Sequence, residues 1–172
     1  MQKLINLEAE KAIRLISKYF QKSSLKDKKF RLFHSIRVGT YLYENWYKKD
    51  IVIAWFLHDI IEFTKISKNE ILNEFSKEIY ELIVANSKND SIKDSKKRID
   101  DLIKRTCLHW NDAIIIKCAD LIDSFKWYSK IKENKELINH WIQNIKAILK
   151  YKPNWFDDKI FDELMIWYKK YN

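Results

Sequence analysis

Apolar residues return at helical intervals along most of the chain. Leu7, Ala12, Leu15, Ile16 and Tyr19 share one stripe and predict an amphipathic helix over residues 7–20, which Ser23 and Ser24 interrupt. A second helix is predicted from about Lys29 to Leu32 through Tyr47, with His34, Val38, Tyr41 and Leu42 in one inward sector, followed by a turn at Lys48 to Asp50. Ile51, Ala54, Trp55, His58 and Ile61 recur every three or four positions, so residues 51–61 read as a largely apolar helix from which His58 emerges.

Further along, Ser67 and Glu70 have the spacing of a capping box ahead of Ile71, Leu72 and Phe75. Another helix is expected over 77–85. A polar connection from Asn86 to Ser91 should resist burial, because its short polar side chains compete with helical hydrogen bonding. A more polar helix follows at 93–107. Asn111 or Asp112 is the expected cap of an apolar helix from Ile114 through Phe125, which places Asp120 in ordered structure. The last two helices fall at 134–150 and 157–170, divided by Pro153, with Trp141, Ile142, Ile145, Phe161, Leu164, Met165 and Tyr168 as packing residues.

Composition sharpens this all-α reading. One glycine and one proline in 172 residues leave few backbone breakers, and a 47% hydrophobic fraction supplies a core rather than a disordered chain. The length suits one domain over residues 1–172. A net charge of +9 can attract phosphates, nucleic acid or anionic lipid, but the lysines are dispersed, which favours solvated surface positions. Glu8 and Glu10 interrupt any secretion-signal core, and no apolar stretch has membrane-spanning length. Cys107 and Cys118 form neither a close Cys-x-x-Cys pair nor a disulfide framework, so the expectation is a soluble protein of a reducing cytoplasm.

The chemistry-bearing residues lie on successive predicted helices. His34 and His58 offer imidazole nitrogens, and Asp59 and Asp120 offer carboxylate oxygens. Together they form a mixed donor set for a borderline divalent metal such as Mn, Fe, Co, Ni or Zn. A lone histidine on an apolar helix is more often a packed structural residue, so the combination carries the reading. Glu62, four residues after His58, faces the same groove and can orient or deprotonate water, with a structural ion pair as its alternative. Lys117, one turn before Asp120, can meet a phosphate. Arg31 and Lys28 place positive charge near His34, although Arg31 can instead brace carboxylates and Lys28 can simply be solvated.

Three segments carry a resemblance. Arg31-Leu32-Phe33-His34-Ser35-Ile36-Arg37-Val38, Trp55-Phe56-Leu57-His58-Asp59-Ile60-Ile61-Glu62 and Cys118-Ala119-Asp120-Leu121 together resemble the HD phosphohydrolase superfamily, over roughly residues 31–124. The resemblance implies a compact helical metallohydrolase that cleaves a phosphate ester, with the metal held between central helices by His34, His58, Asp59 and Asp120. Within that superfamily the chain is similar to alarmone pyrophosphohydrolases. These remove the 3' pyrophosphate of ppGpp or pppGpp and commonly use manganese, which implies a nucleotide partner, Glu62 as catalytic acid-base, and Lys28, Arg31, Lys117 and Ser124 toward substrate.

Two positions depart from that pattern. Phe63 stands where an acidic residue normally follows Glu62, and Ser124 stands where an asparagine is common. Phenylalanine neither carries a proton nor binds metal, and serine lacks the paired donor and acceptor of an amide. The alternatives are therefore an HD phosphohydrolase for another nucleotide, such as a nucleoside monophosphate, and a basic nucleic-acid-binding module.

Overall fold

A computed structural model of the chain describes residues 2–20, 30–130 and 135–172, and the side chains among these except at 2–4, 110 and 128. Lys28, Ser23 and Ser24 lie outside the described residues. All regular elements among those described are helical, and they gather into two compact units, residues 1–87 and 88–172.

In the first unit, α1 (Gln2–Phe20), α2 (Arg31–Glu44), α3 (Lys49–Leu57), α4 (Ile60–Phe63), α5 (Lys68–Glu74) and α6 (Lys77–Ala85) follow in order. The α3 helix is the hub, packing on α1, α2 and α6. Its residues Ile51 to Leu57 are all buried, so this helix is apolar all round rather than striped. Each of the larger aliphatic side chains contributes about 1.5–3 kcal/mol of burial, which explains why β-branched Ile51, Val52 and Ile53 tolerate a helix despite their weaker propensity. Where α2 crosses α3, a Cβ on Gly39 would fall 2.3 Å from the Phe56 ring. Glycine is what lets the ring approach the α2 backbone.

The predicted turn at Lys48 to Asp50 lies earlier. The α2 helix closes at Asn45, Trp46 takes a positive φ of 63°, and Tyr47 N donates to Leu42 O at 3.1 Å. Trp46 N also donates to Tyr43 O, completing a left-handed C-terminal cap. The predicted cap at Ser67 is present, its hydroxyl accepting from Glu70 N at 3.2 Å, and Ser76 caps α6 in the same way. Glu70 also accepts a hydrogen bond from the Tyr19 hydroxyl, tying α5 to α1.

The helix predicted over 51–61 is divided at His58 and Asp59. His58 N donates to Trp55 O at 3.1 Å, a tightened last turn, and the backbone restarts at Ile60. Asn86 and Ser87 are a correction to the exposed polar connection expected there. Both are buried, with Asn86 Nδ2 donating to Leu82 O at 3.1 Å and Ser87 Oγ to Ile83 O at 2.8 Å. By turning back on their own helix they satisfy these donors without solvent.

The second unit holds α7 (Ser95–Leu108), α8 (Trp110–Asp123), α9 (Lys135–Tyr151) and α10 (Lys159–Tyr171). Asp94 and Asp158 cap α7 and α10. The helix α7 packs on α8 and α9, and α10 packs on α8. The α8 start differs from expectation: His109, rather than Asn111 or Asp112, is the N-cap residue and makes no side-chain cap. Its end differs too, because Asp123 runs into a π-helical segment, Ser124–Tyr128. Ala113 through Ala119 are buried, so the Lys117 side chain is carried on an otherwise apolar stretch.

Candidate metal centre

Trp55 organises the histidine pair. Its indole stacks on the His58 ring at 4.0 Å between centroids and meets the His34 ring edge-on at 5.3 Å. The indole Nε1 donates to Ser35 O at 3.1 Å, anchoring the ring to α2 beside His34. The two imidazoles are 5.4 Å apart at a steep angle, and both residues are buried. Sequence reading placed Trp55 in a motif without assigning it this role. The three-residue interval from Trp55 to His58, one helical turn, was the available signal.

His58 Nδ1 lies 2.8 Å from Trp55 O. A carbonyl oxygen only accepts, so Nδ1 donates this bond, and in the neutral ring Nε2 is the nitrogen that holds the lone pair. That Nε2 is buried without a hydrogen bond, although Asp59 Oδ1 stands 3.2 Å away. With its tautomer held by a backbone carbonyl, such a nitrogen has the arrangement of a metal-ligating histidine.

His34, His58 and Asp120 each offer a ligand atom, and these atoms all lie within 4.8 Å of one another. This His/His/Asp cluster between helices joins two borderline nitrogen donors to one hard oxygen donor, a set that fits a divalent transition metal. Asp59, the fourth expected ligand, is buried next to His58 and is not part of that group of three.

Asp120 has a cation of its own. Lys117 Nζ donates to Asp120 Oδ2 at 2.9 Å, with only 9% of the lysine side chain and 16% of the aspartate side chain exposed. Lys117 therefore sits beside the candidate ligand, as its one-turn spacing suggested. His140 lies in the same field. Burial first, then the charges of Lys117, Lys88 and Arg98, push its pKa down to about 4, while Asp120 opposes them. Nothing in the spacing along the chain singled out His140.

Of the other expected site residues, Glu62 is half-buried on α4, and Ser124 is buried at the start of the π-helical segment. The Arg31 guanidinium lies 3.5 Å from the centroid of the Phe63 ring. Burial pushes the Cys107 thiol up to about 11 and the Cys118 thiol higher still, so neither supplies a thiolate nucleophile near neutral pH.

No known family profile matches the sequence, and no curated protein matches it. Solved structures do. A metazoan ortholog of SpoT, described as hydrolysing ppGpp and acting in starvation responses, superposes with a TM-score of 0.75 at 15% identity, over 95% of this chain and 94% of that one. The crystal structure of lmo0812 from Listeria monocytogenes EGD-e gives a TM-score of 0.64 at 22% identity, over 80% of this chain and 92% of that one. At these identities the likeness shows the fold alone, which is all-α. No helix among the described residues is long and apolar enough to cross a membrane.

Proposed function

We propose that residues 1–172 act as one divalent-metal-dependent phosphohydrolase domain whose substrate is ppGpp or pppGpp, from which it removes the 3' pyrophosphate. The observation that carries this reading is the mutual approach of the His34, His58 and Asp120 donor atoms within 4.8 Å, beside a buried lysine. The fold shared with a protein described as hydrolysing ppGpp supports the choice of substrate.

A bound divalent cation, manganese first among the candidates, supplies Lewis acidity and lowers the pKa of water in the site. His34, His58 and Asp120 would hold it, with Asp59 beside His58. Glu62 takes the proton from the attacking water as its oxygen bonds to phosphorus. The bond from that phosphorus to the 3' ribose oxygen breaks, and the departing oxygen leaves as a hydroxyl by taking up the proton that Glu62 received. The products are GDP and pyrophosphate from ppGpp. Lys117 and Arg31 meet the phosphate charge, and Lys28 and Ser124 are assigned to substrate binding as well.

Phe63 favours a second reading, hydrolysis of another nucleotide such as a nucleoside monophosphate, because its ring faces a guanidinium where an acid was expected. The test is a manganese-dependent product assay over ppGpp, pppGpp, nucleoside monophosphates, cyclic nucleotides and short RNA, repeated with Glu62→Gln and Asp120→Ala. Release of GDP and pyrophosphate from ppGpp by the parent, lost in both variants, is expected. Normal turnover in both variants overturns this active site, and efficient cleavage of only another nucleotide overturns the alarmone assignment.

A further inference from the structure

Within the first unit, α1 and α5 flank a groove of about 360 Å3, at the lower end of the size range of small-molecule sites. Its α1 wall carries Lys11, Arg14 and Lys18, and its α5 wall carries Glu70, Asn73 and Glu74. Half-buried Leu15 and buried Phe75 supply its apolar lining. The two walls are therefore of opposite sign. Their charges approach at two places, Lys11 Nζ lying 3.8 Å from Glu74 Oε2 and Lys18 Nζ 3.9 Å from Glu70 Oε1. Arg14 falls between these pairs, one helical turn from each lysine on the same face of α1. It meets Glu10, one turn back on its own helix, at 3.8 Å, with both side chains exposed.

We propose that this groove binds a zwitterionic α-amino acid with an apolar side chain, its carboxylate on Arg14, its ammonium on Glu74 and its side chain against Leu15 and Phe75. An α-amino acid holds its two charges one carbon apart, so it fits between walls whose own charges already come within 3.8 Å. The pairs it would displace, Lys11 with Glu74 and Arg14 with Glu10, are exposed and longer than a hydrogen bond, a class that contributes little to stability. Glu70 is the more committed acid, because the Tyr19 hydroxyl donates to it and its backbone N–H donates to Ser67 Oγ at 3.2 Å. That commitment holds the α5 wall in place and leaves Glu74 as the acid that turns to the ligand. Arg14 suits the carboxylate, since its planar fork makes two parallel N–H···O bonds where lysine offers a point charge. A plain anion would meet Glu70 and Glu74, and a plain cation would meet the lysines, so the wall charges select a dipolar ligand. The site stands independently of the phosphohydrolase reading, because its lining includes none of the residues assigned to that chemistry.

The experiment follows backbone amide signals of isotope-labelled protein while L-phenylalanine, phenylpropanoate, phenethylamine or glycine is added, using the parent, Arg14→Gln and Glu74→Gln. Both substitutions fall on exposed side chains, so the fold should be kept, which the unperturbed part of each spectrum checks. L-phenylalanine should bind the parent saturably and shift the amides around Arg14 and Leu15 and around Asn73 to Phe75. The three probes that lack the ammonium, the carboxylate or the apolar side chain should each bind more weakly. Each variant should weaken L-phenylalanine binding about five- to tenfold, the lower end of what a charged hydrogen-bond partner contributes, because the site is open to water. The probes then separate the two arms: Arg14→Gln should leave phenethylamine binding unchanged, and Glu74→Gln should leave phenylpropanoate binding unchanged. Absence of saturable L-phenylalanine binding, shifts confined to other parts of the chain, or an equal response of both variants to all probes would each overturn the proposal. So would phenylpropanoate or phenethylamine binding the parent as tightly as L-phenylalanine, which would make the groove a plain anion or cation site.

Discussion

The His58 ring is held twice by Trp55: Nδ1 lies 2.8 Å from the Trp55 carbonyl oxygen, and the imidazole stacks on the indole at 4.0 Å. The first contact uses backbone and the second uses side chain, so substitution can separate them. Trp55→Phe keeps the carbonyl and an aromatic face but removes the Nε1 donor to Ser35 O, a buried bond. It should cost about 1–3 kcal/mol by leaving that oxygen short of a partner, read as a lower urea midpoint. Metal content by elemental analysis should stay near the parent's, whereas His58→Ala should lose metal. Metal loss in Trp55→Phe equal to that in His58→Ala would mean that the indole, not the carbonyl, sets the ligand.

How far the sequence revealed this arrangement depended on what each residue answers to. The helix over 77–85 matches α6, and the cap at Ser67 is present, because helical periodicity and capping are local properties. The break after Leu57 was not visible. The apolar pattern continues through Ile61, and only the competition for the Trp55 carbonyl reveals why the helix stops. Similarly, Asn86 and Ser87 have the composition of a solvent loop, yet both turn back on α6 carbonyls and are buried. The π-helical segment after Asp123 has no period of its own in five residues. His34, His58 and Asp120 were identifiable as a set through motif resemblance, while their approach within 4.8 Å is a tertiary fact.

Trp46 offers a test of backbone strain. It adopts φ of 63° at the end of α2, and the residue is 80% exposed. A large side chain in the left-handed region is unfavourable, and this one recovers little by burial. Trp46→Gly should therefore stabilise the protein by about 0.5–1 kcal/mol, with the left-handed cap retained. A lower thermal midpoint for this variant would show that the exposed indole makes a stabilising contribution that outweighs the strain.

His140 predicts an acid-side instability. Its pKa falls from an ordinary 6.5 to about 4, chiefly because burial disfavours the charged ring and secondarily because Lys117, Lys88 and Arg98 repel it. Between these values the unfolded chain binds a proton that the folded chain refuses, so stability drops as pH falls from 6.5 toward 4. The loss attributable to this residue is on the order of 1–3 kcal/mol after allowing for its partial exposure. In chelator, His140→Gln should gain on the parent by that amount across the window, measured by urea unfolding at successive pH values. Parallel curves for the two proteins would remove His140 as the cause.

Lys117 separates a structural ion pair from a metal-coupled one. Its ammonium lies 2.9 Å from Asp120 Oδ2, and both side chains are largely withdrawn from water. Replacing lysine with methionine keeps much of the apolar stem and removes the charge, leaving the carboxylate without this compensation. In chelator, Lys117→Met should lower stability by about 1–3 kcal/mol, less than for a fully buried pair because Asp120 retains some exposure. With manganese present the difference should shrink, because a divalent cation would compensate the same oxygen atoms. Removing a competing positive charge should also raise manganese affinity. Turnover of a phosphate substrate should nonetheless fall, since Lys117 is assigned to the phosphate. The two effects move in opposite directions, which a general folding defect would not produce. Thermal melts with and without manganese, together with a metal-binding titration, provide the measurement. Unchanged manganese affinity combined with an undiminished stability loss would mean that Lys117 and Asp120 form a structural pair and that Asp120 is not a ligand.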